Sequence, residues 1–422
     1  WGTVPDFNGD GYADVAIVAQ RSTLPRTSTL DVYPGAAPGV VSSSAITLSM
    51  PLAPDLSASV ASVGDGDGDG YGDVIVGGVV MNAAVFLGGV TGLSRSETVT
   101  LSPPTGGVGF VNPAVTAAGD LNGDGYGDVL VGYGRTDVVQ IHHGGPSGPS
   151  PTPTTTLTGT ASSRFGASVA GSGDVNGDGF HDVIVGTGTT DSVYVYLGNA
   201  SGLTPAASAH LDGPAGSNFG FTLALLGDVN GDGFSDVLIG APTRDSVYVA
   251  LGGPGGLTLS SAILLGTSGS GFGRVLASAG DLNGDGLSDA FVGGDGQCFV
   301  YLGNTSPLLF AAPITLTGAT GSHFGTAGAG AGDINRDGYG DLVVGAHGAN
   351  SVFVYHGHVA GLSTSPTMLV GPLDSGFGFA VASRLFPGVA SWTEWWRSSR
   401  PPRDVRAWLL TLREHSIGTA RM

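Results

Sequence analysis

One nine-residue pattern, D-x-[ND]-x-D-G-x-x-D, occurs seven times and dominates what this chain can fold into. The copies begin at Asp6, Asp65, Asp120, Asp174, Asp228, Asp281 and Asp333. Successive starts lie 59, 55, 54, 54, 53 and 52 residues apart. A fixed period of this length marks a repeat architecture, in which each unit buries its apolar face only against its neighbours. The longest interval holds "PGAAPGVVSSS" and the third copy holds "GGPSGPSPTPTTT" at 144–156, both of which read as loops.

What surrounds the pattern also repeats. In the fourth copy "FGASVAGSG" (165–173) precedes it, "DVIVG" (182–186) follows, then "DSVYVYLG" (191–198) and a short run near "SAHLDG" (208–213). That gives four short strand signals per unit. The strand after each loop is almost continuously apolar, as suits a sheet covered on both faces. No segment within 1–383 shows a convincing helical stripe. With 76 Gly and 24 Pro beside an ordinary 41% apolar content, many short strands and tight turns are expected rather than disorder. The predicted fold is all-β: a seven-bladed β-propeller of four-stranded antiparallel blades over residues 1–383. A linear stack of the same units would need polar capping repeats, whereas a closed ring needs none.

The aspartates fall at the spacing of a calcium loop. Hard Ca²⁺ takes about six to eight oxygen ligands, here side chains at places 1, 3, 5 and 9 and a main-chain carbonyl at place 7, with Gly at place 6 for the sharp turn. The predicted metal-binding residues are Asp6, Asn8, Asp10, Tyr12 and Asp14; Asp65, Asp67, Asp69, Tyr71 and Asp73; Asp120, Asn122, Asp124, Tyr126 and Asp128. They continue with Asp174, Asn176, Asp178, Phe180 and Asp182; Asp228, Asn230, Asp232, Phe234 and Asp236; Asp281, Asn283, Asp285, Leu287 and Asp289; and Asp333, Asn335, Asp337, Tyr339 and Asp341. An EF-hand or dockerin half would need an acid at place 12, but Ile17, Val76, Val131, Val185, Ile239, Val292 and Val344 stand there. A metal-free Asx turn would explain one such loop better than seven.

Charge points the same way. The loops hold 22 of the 34 acidic residues in a chain of formal charge -19. Carboxylates so close together repel and resist ionisation unless a cation sits among them. Seven structural Ca²⁺ would bring the charge to about -5. Sites of millimolar affinity fill only where calcium is plentiful, which places the expected location outside the cell or at its surface. The acidic balance argues against nucleic acid as a partner, and no apolar run is long enough for a membrane span. The sequence has neither an initiator Met nor a signal peptide and opens directly on "WGTVPDFNGDG", as expected of a fragment or processed product.

These features resemble the FG-GAP repeats of the integrin α-chain propeller and its bacterial relatives. The Phe-Gly pair stands at Phe165-Gly166, Phe219-Gly220, Phe272-Gly273, Phe324-Gly325 and Phe377-Gly378, with Phe110-Val111 in the third repeat. Gly-Ala-Pro is intact at Gly240-Ala241-Pro242 and becomes Gly-Ala-His at 345–347. The resemblance covers about residues 1–383. It implies seven blades, with calcium in the hairpin between the first and second strands of a blade, and an extracellular protein or glycan as ligand. Integrins carry the loop in only some blades, whereas here all seven do; with no long leg domains or anchor read in this sequence, an integrin-style partnership with a β chain is not expected.

The ring has to close. "FGFAVAS" at 377–383 looks like an innermost strand without a loop, and is expected to complete the first blade, whose own first strand is only "WGTVP". Residues 384–422 change character, with 7 of the 15 Arg and Trp392, Trp395, Trp396 and Trp408. One reading is a functional appendage, in which Asp404 caps a helix with Val405, Trp408, Leu409 and Leu412 on one face. The reading adopted is a reading-frame change that replaced native sequence.

Catalytic patterns are sparse, and a non-enzymatic recognition module is expected. His142, His143, His356 and His358 read as exposed strand-end residues, His181 as solvated, and Cys298 as a small buried hydrophobe. The alternative is the propeller of a secreted polysaccharide hydrolase or lyase, which would need convergent acids or His in the axial pocket.

Overall fold

The computed structural model describes residues 6–382 apart from 21–27, 45, 51–58, 80–81, 95–98, 105–112, 306–309 and 311. The expectations for residues 1–5, for Phe110-Val111 and for the tail 384–422 lie outside the described residues.

The described strands form seven four-stranded antiparallel sheets arranged as a propeller. Blades 2 to 7 begin with an innermost strand at Ser59–Gly64, Ala114–Gly119, Ser168–Gly173, Thr222–Gly227, Val275–Gly280 and Phe324–Gly332. The aspartate loop follows, and then three further strands lead outward. In blade 4 these are Asp182–Gly186, Ser192–Tyr196 and Ala209–Asp212. The second strand is the most buried, since neighbouring blades cover both of its faces; all six residues of Asp128–Tyr133 are inaccessible. Helix among the described residues amounts to two short 3₁₀ turns, Pro242–Arg244 and His347–Ala349.

Blade 1 is assembled from both ends of the sequence. Val15–Gln20, Ser28–Tyr33 and Ile46–Met50 are joined by Phe377–Ala382, which pairs antiparallel with the first of them through Ala16↔Ala382 and Val18↔Ala380. The strand expected to close the ring therefore occupies the innermost position of blade 1.

The core lies between blades. One cluster joins Leu130, Val139 and Ile141 of blade 3 to Phe165, Val183 and Val185 of blade 4. The closing interface is packed in the same way, with Val15 and Ile17 of blade 1 meeting Val343, Val352 and Leu369 of blade 7. The Phe of each Phe-Gly pair is a fixed part of this packing. Phe165, Phe219, Phe272 and Phe324 are at most 1% exposed and stand edge-on to Tyr194, Tyr248, Phe299 and Phe353, with ring centroids 5.3–5.6 Å apart. Cys298 is fully buried in the third strand of blade 6, and burial holds its thiol protonated.

Candidate metal centre

A bulge just before each loop in blades 2 to 7 swings the chain out of the sheet. In blade 3 the register slips between Ala117 and Gly119, and Gly119 takes a φ of 72°, which a side chain would resist. Gly123 and Gly125, at places 4 and 6, also have positive φ, 73° and 95°. This local winding turns successive N–H groups towards one carboxylate. Asp120 Oδ1 accepts from the N–H of Gly123 at 2.7 Å and of Asp124 at 3.1 Å, and its Oδ2 accepts from Gly125 at 2.8 Å. Asn122 Oδ1 accepts from the N–H of Asp124 at 3.0 Å, and Asp124 Oδ1 from that of Tyr126 at 3.0 Å. The other six loops repeat this wrap with small variations.

Place 9 has a second task that the spacing alone does not reveal. Asp128 Oδ2 accepts from the N–H of Leu121 at 2.8 Å, and Oδ1 from Gly144, beyond the third strand, also at 2.8 Å. Asp14, Asp73, Asp182, Asp236, Asp289 and Asp341 bind the equivalent pairs of N–H groups, so each ties its loop to the far end of the blade. All seven are at most 1% exposed. Burial, helped by the neighbouring aspartates and opposed by the N–H donors, pushes Asp14, Asp128, Asp182, Asp236 and Asp289 up to about 7 and Asp73 to about 8. Such a site is short of positive charge.

The donor set suits a hard divalent cation. In the second loop, Asp65, Asp67 and Asp73 each bring a carboxylate oxygen within 4.8 Å of the others. The other loops replace Asp67 by Asn, leaving two carboxylates and an amide oxygen at those places. In five of them the Asn amide N–H also donates to the place 5 carboxylate, as from Asn122 to Asp124 at 2.9 Å. These groups are all oxygen acceptors gathered in one turn, the composition that Ca²⁺ requires.

The loops also lock to one another. The N–H at place 8 donates to the place 1 carbonyl of the preceding blade: Gly72 to Asp6, Gly127 to Asp65, His181 to Asp120, Ser235 to Asp174, Ser288 to Asp228, Gly340 to Asp281 and Ala13 to Asp333. The place 7 ring then lies on the preceding loop, so that a Cβ built on Gly68 would stand 2.7 Å from Tyr126. Place 4 is Gly in six loops; in five of them a place 7 ring of the next blade lies over it, and over Gly231 stand Thr305 and Leu287 instead. In the seventh it is Arg336, which keeps a positive φ of 58°, lies 4.6 Å over the Tyr12 ring and donates through Nε to the Gly11 carbonyl.

Two expectations about histidine are corrected. His142 is fully buried rather than exposed; its Nδ1–H donates to the Ser150 carbonyl at 2.8 Å, and burial lowers its pKa to about 4. His181 packs against Gly119 and accepts from the Asp120 N–H at 3.0 Å, so it belongs to the seam between blades and is not simply solvated. His143 is half-buried, 3.3 Å from Asn122, and the His356 ring lies 3.2 Å from Asp341. His358 alone is exposed as expected.

The opposite ends of the blades carry a further set of aspartates that lie outside the repeated loop motif. Asp137, Asp191 and Asp245 take left-handed conformations in the hairpin between second and third strands. Each accepts from N–H groups of the following inter-blade linker: Asp191 from Gly216 at 2.7 Å and Phe219 at 3.1 Å, with equivalent bonds at Asp137 and Asp245. Asn350 serves blade 7. Their visible signal is a polar residue closing a two-strand turn. The seven innermost strands contain no acidic, basic or His residue.

Comparison with known proteins bears on the same repeats. An FG-GAP-like repeat profile matches residues 174–239, 228–292 and 281–344, and an FG-GAP repeat profile matches 112–148. Integrin alpha-IIb from Homo sapiens is 39% identical over 163 residues, 33% of this chain and 16% of that protein. Integrin alpha-5 from Xenopus laevis is 33% identical over 237 residues, 49% of this chain and 22% of that protein. The matched segments thus span less than a quarter of these relatives. Two solved structures share the fold at low identity. A Lactobacillus plantarum protein has a TM-score of 0.52 at 12% identity, covering 88% of this chain and 99% of its own. An Agrocybe aegerita lectin, described as recognising non-reducing terminal N-acetylglucosamine, has a TM-score of 0.52 at 14% identity, covering 89% and 95%.

Proposed function

Because the chain is an FG-GAP repeat propeller resembling those of integrin α chains, we propose that it is an extracellular recognition module that binds a protein or glycan and carries structural calcium in its seven loops. The observation that carries the calcium reading is the convergence of Asp65, Asp67 and Asp73 in a loop whose wrap recurs around the ring. Bound calcium supplies the positive charge that the buried place 9 carboxylates lack. Places 1, 3, 5 and 9 would hold it with side-chain oxygens, and place 7 with its carbonyl.

Two observations support recognition rather than catalysis. The innermost strands carry none of the acids or His that a polysaccharide hydrolase or lyase would converge there. Relatives matched in sequence include integrin α chains, and the lectin of similar fold is described as recognising a sugar. A module of this kind would present the loops opposite the calcium turns, which the aspartates at 137, 191 and 245 hold in place.

The test is a binding screen of the calcium-loaded chain against extracellular matrix proteins and a glycan array, repeated after exhaustive EGTA treatment. Saturable binding that disappears with the metal is expected. Binding that persists unchanged after full calcium removal would overturn the reading of calcium-supported recognition.

A further inference from the structure

Each third strand places one residue opposite place 12 of its loop, at the centre of the blade. Blades 4 to 7 use an aromatic residue there, through the pairs Val185↔Tyr194, Ile239↔Tyr248, Val292↔Phe299 and Val344↔Phe353. These are the four rings that stand edge-on to the buried Phe of the Phe-Gly pairs. In blade 1 the same register pairs Ile17 with Asp31. Phe377 in turn meets Tyr33, at a centroid distance of 5.9 Å.

A small acid in place of a large ring leaves space. A cavity of about 270 Å³ opens beside Asp31, between blade 1 and the linker that leads from blade 7 into the closing strand. Thr29, Ser44, Thr47 and Tyr33 line it on one side and Ser375 on the other. Asp31 is itself only 8% exposed. Thr29 donates to its Oδ2 at 3.0 Å and Thr47 to its Oδ1 at 2.5 Å, which fixes the carboxylate in one orientation. Among the described residues no basic side chain forms an ion pair with Asp31. A buried carboxylate without a cation is costly, and its remaining lone pairs call for donors that carry positive charge.

We propose that this cavity is a binding site for a small molecule bearing a protonated primary amine, whose ammonium group pairs with Asp31 while its polar groups meet the surrounding hydroxyls. An ammonium group supplies both the missing charge and three N–H donors, where a neutral polyol supplies donors only. The inference is independent of the calcium loops and of the recognition reading.

The test is NMR and calorimetric titration of the full chain, held in saturating calcium, with 1,4-diaminobutane, ethanolamine and glycerol. Saturable binding of the two amines is expected, with shifts at Thr29, Tyr33 and Thr47, and glycerol should bind at least tenfold more weakly. Asp31→Asn keeps the shape but removes the charge, and should weaken the amines at least tenfold; Asp212→Asn, at an exposed aspartate of blade 4, should change nothing. Asp31→Tyr supplies the ring that blades 4 to 7 carry, where blades 2 and 3 have Ala84 and Gln140, so it should abolish binding while melting no lower than the parent. Absence of saturable amine binding to the folded parent, equal affinity in Asp31→Asn, or glycerol binding as tightly as the amines would each overturn the proposal.

Discussion

The N–H of Ala13 donates to the main-chain carbonyl of Asp333 at 3.3 Å, joining the first aspartate loop to the seventh. The equivalent bond between every other pair of neighbouring loops spans 2.8–3.4 Å, so the junction of the two chain ends is built like an internal one. A ring closed in this way transmits a defect at its seam to both flanking blades. That consequence can be measured.

Phe377 is fully buried in the closing strand, as Phe219 is inside blade 5. Deleting a buried Phe side chain costs about 3–5 kcal/mol, and less where the site can collapse or was never closed. Phe377→Ala and Phe219→Ala should therefore destabilise the calcium-loaded protein by similar amounts in urea unfolding. A Phe377→Ala variant as stable as the parent would mean that the last strand does not close the ring.

Arg336 marks the same seam. Its guanidinium lies over Tyr12 and its Nε bonds the Gly11 carbonyl, so Arg336→Ala should cost about 1–2 kcal/mol. Arg336→Gly should cost less, because glycine relieves the positive φ that Arg336 adopts. The order of the two midpoints in denaturant melts is the check, and the reverse order would remove Arg336 from the closure.

Much of this architecture was legible in the sequence, for a physical reason. Seven loops of one pattern, 52 to 59 residues apart, leave few ways to bury the apolar strands between them, and the Phe-Gly pairs mark where neighbouring blades meet. The aspartate turns were equally visible, because acidic and Asn side chains alternate along each of them at the same spacing. What escaped was whatever depended on contacts between repeats. The N–H partners of Asp128 lie in the loop and beyond the third strand, and Gly68 at place 4 lies under the Tyr126 ring of the next blade. His142 looked exposed since it ends a strand, yet Ser150 in the following loop folds back to cover it. Asp31 stood out only once the register showed which residues occupy the same position in the other blades.

Calcium and pH should be coupled with a defined sign. Burial raises Asp14, Asp128, Asp182, Asp236 and Asp289 from an ordinary 3.8 to about 7, and Asp73 to about 8, in the folded, metal-free protein. Between those limits the folded state holds more protons than the unfolded one, so metal-free stability falls as the pH rises through that window. After EGTA treatment the protein should melt higher at about pH 5.5, inside that window, than at about pH 7.5, near its top. Added calcium should restore the neutral-pH loss most strongly, because deprotonated carboxylates bind it. A metal-free melting temperature that rises from the lower to the higher pH would contradict the burial of these groups.

Two classes of aspartate can be separated by their readouts. Asp178 is an exposed place 5 residue whose carboxylate accepts two local N–H groups, from Phe180 at 3.0 Å and from the Asn176 side-chain amide at 2.9 Å. Asp191, at the other end of the same blade, holds the N–H groups of Gly216 and Phe219 and so fixes the linker that carries the next Phe-Gly pair. Asp191→Ala leaves two donors without their partner and should cost about 1–3 kcal/mol with the calcium stoichiometry unchanged. Asp178→Ala removes a proposed ligand and one of several repelling charges, so it should lower the stoichiometry by one while altering metal-free stability little. Calorimetric calcium titration and urea melts on both variants give the comparison. If Asp178→Ala kept the full complement of ions, its loop would not be a calcium site built from place 5.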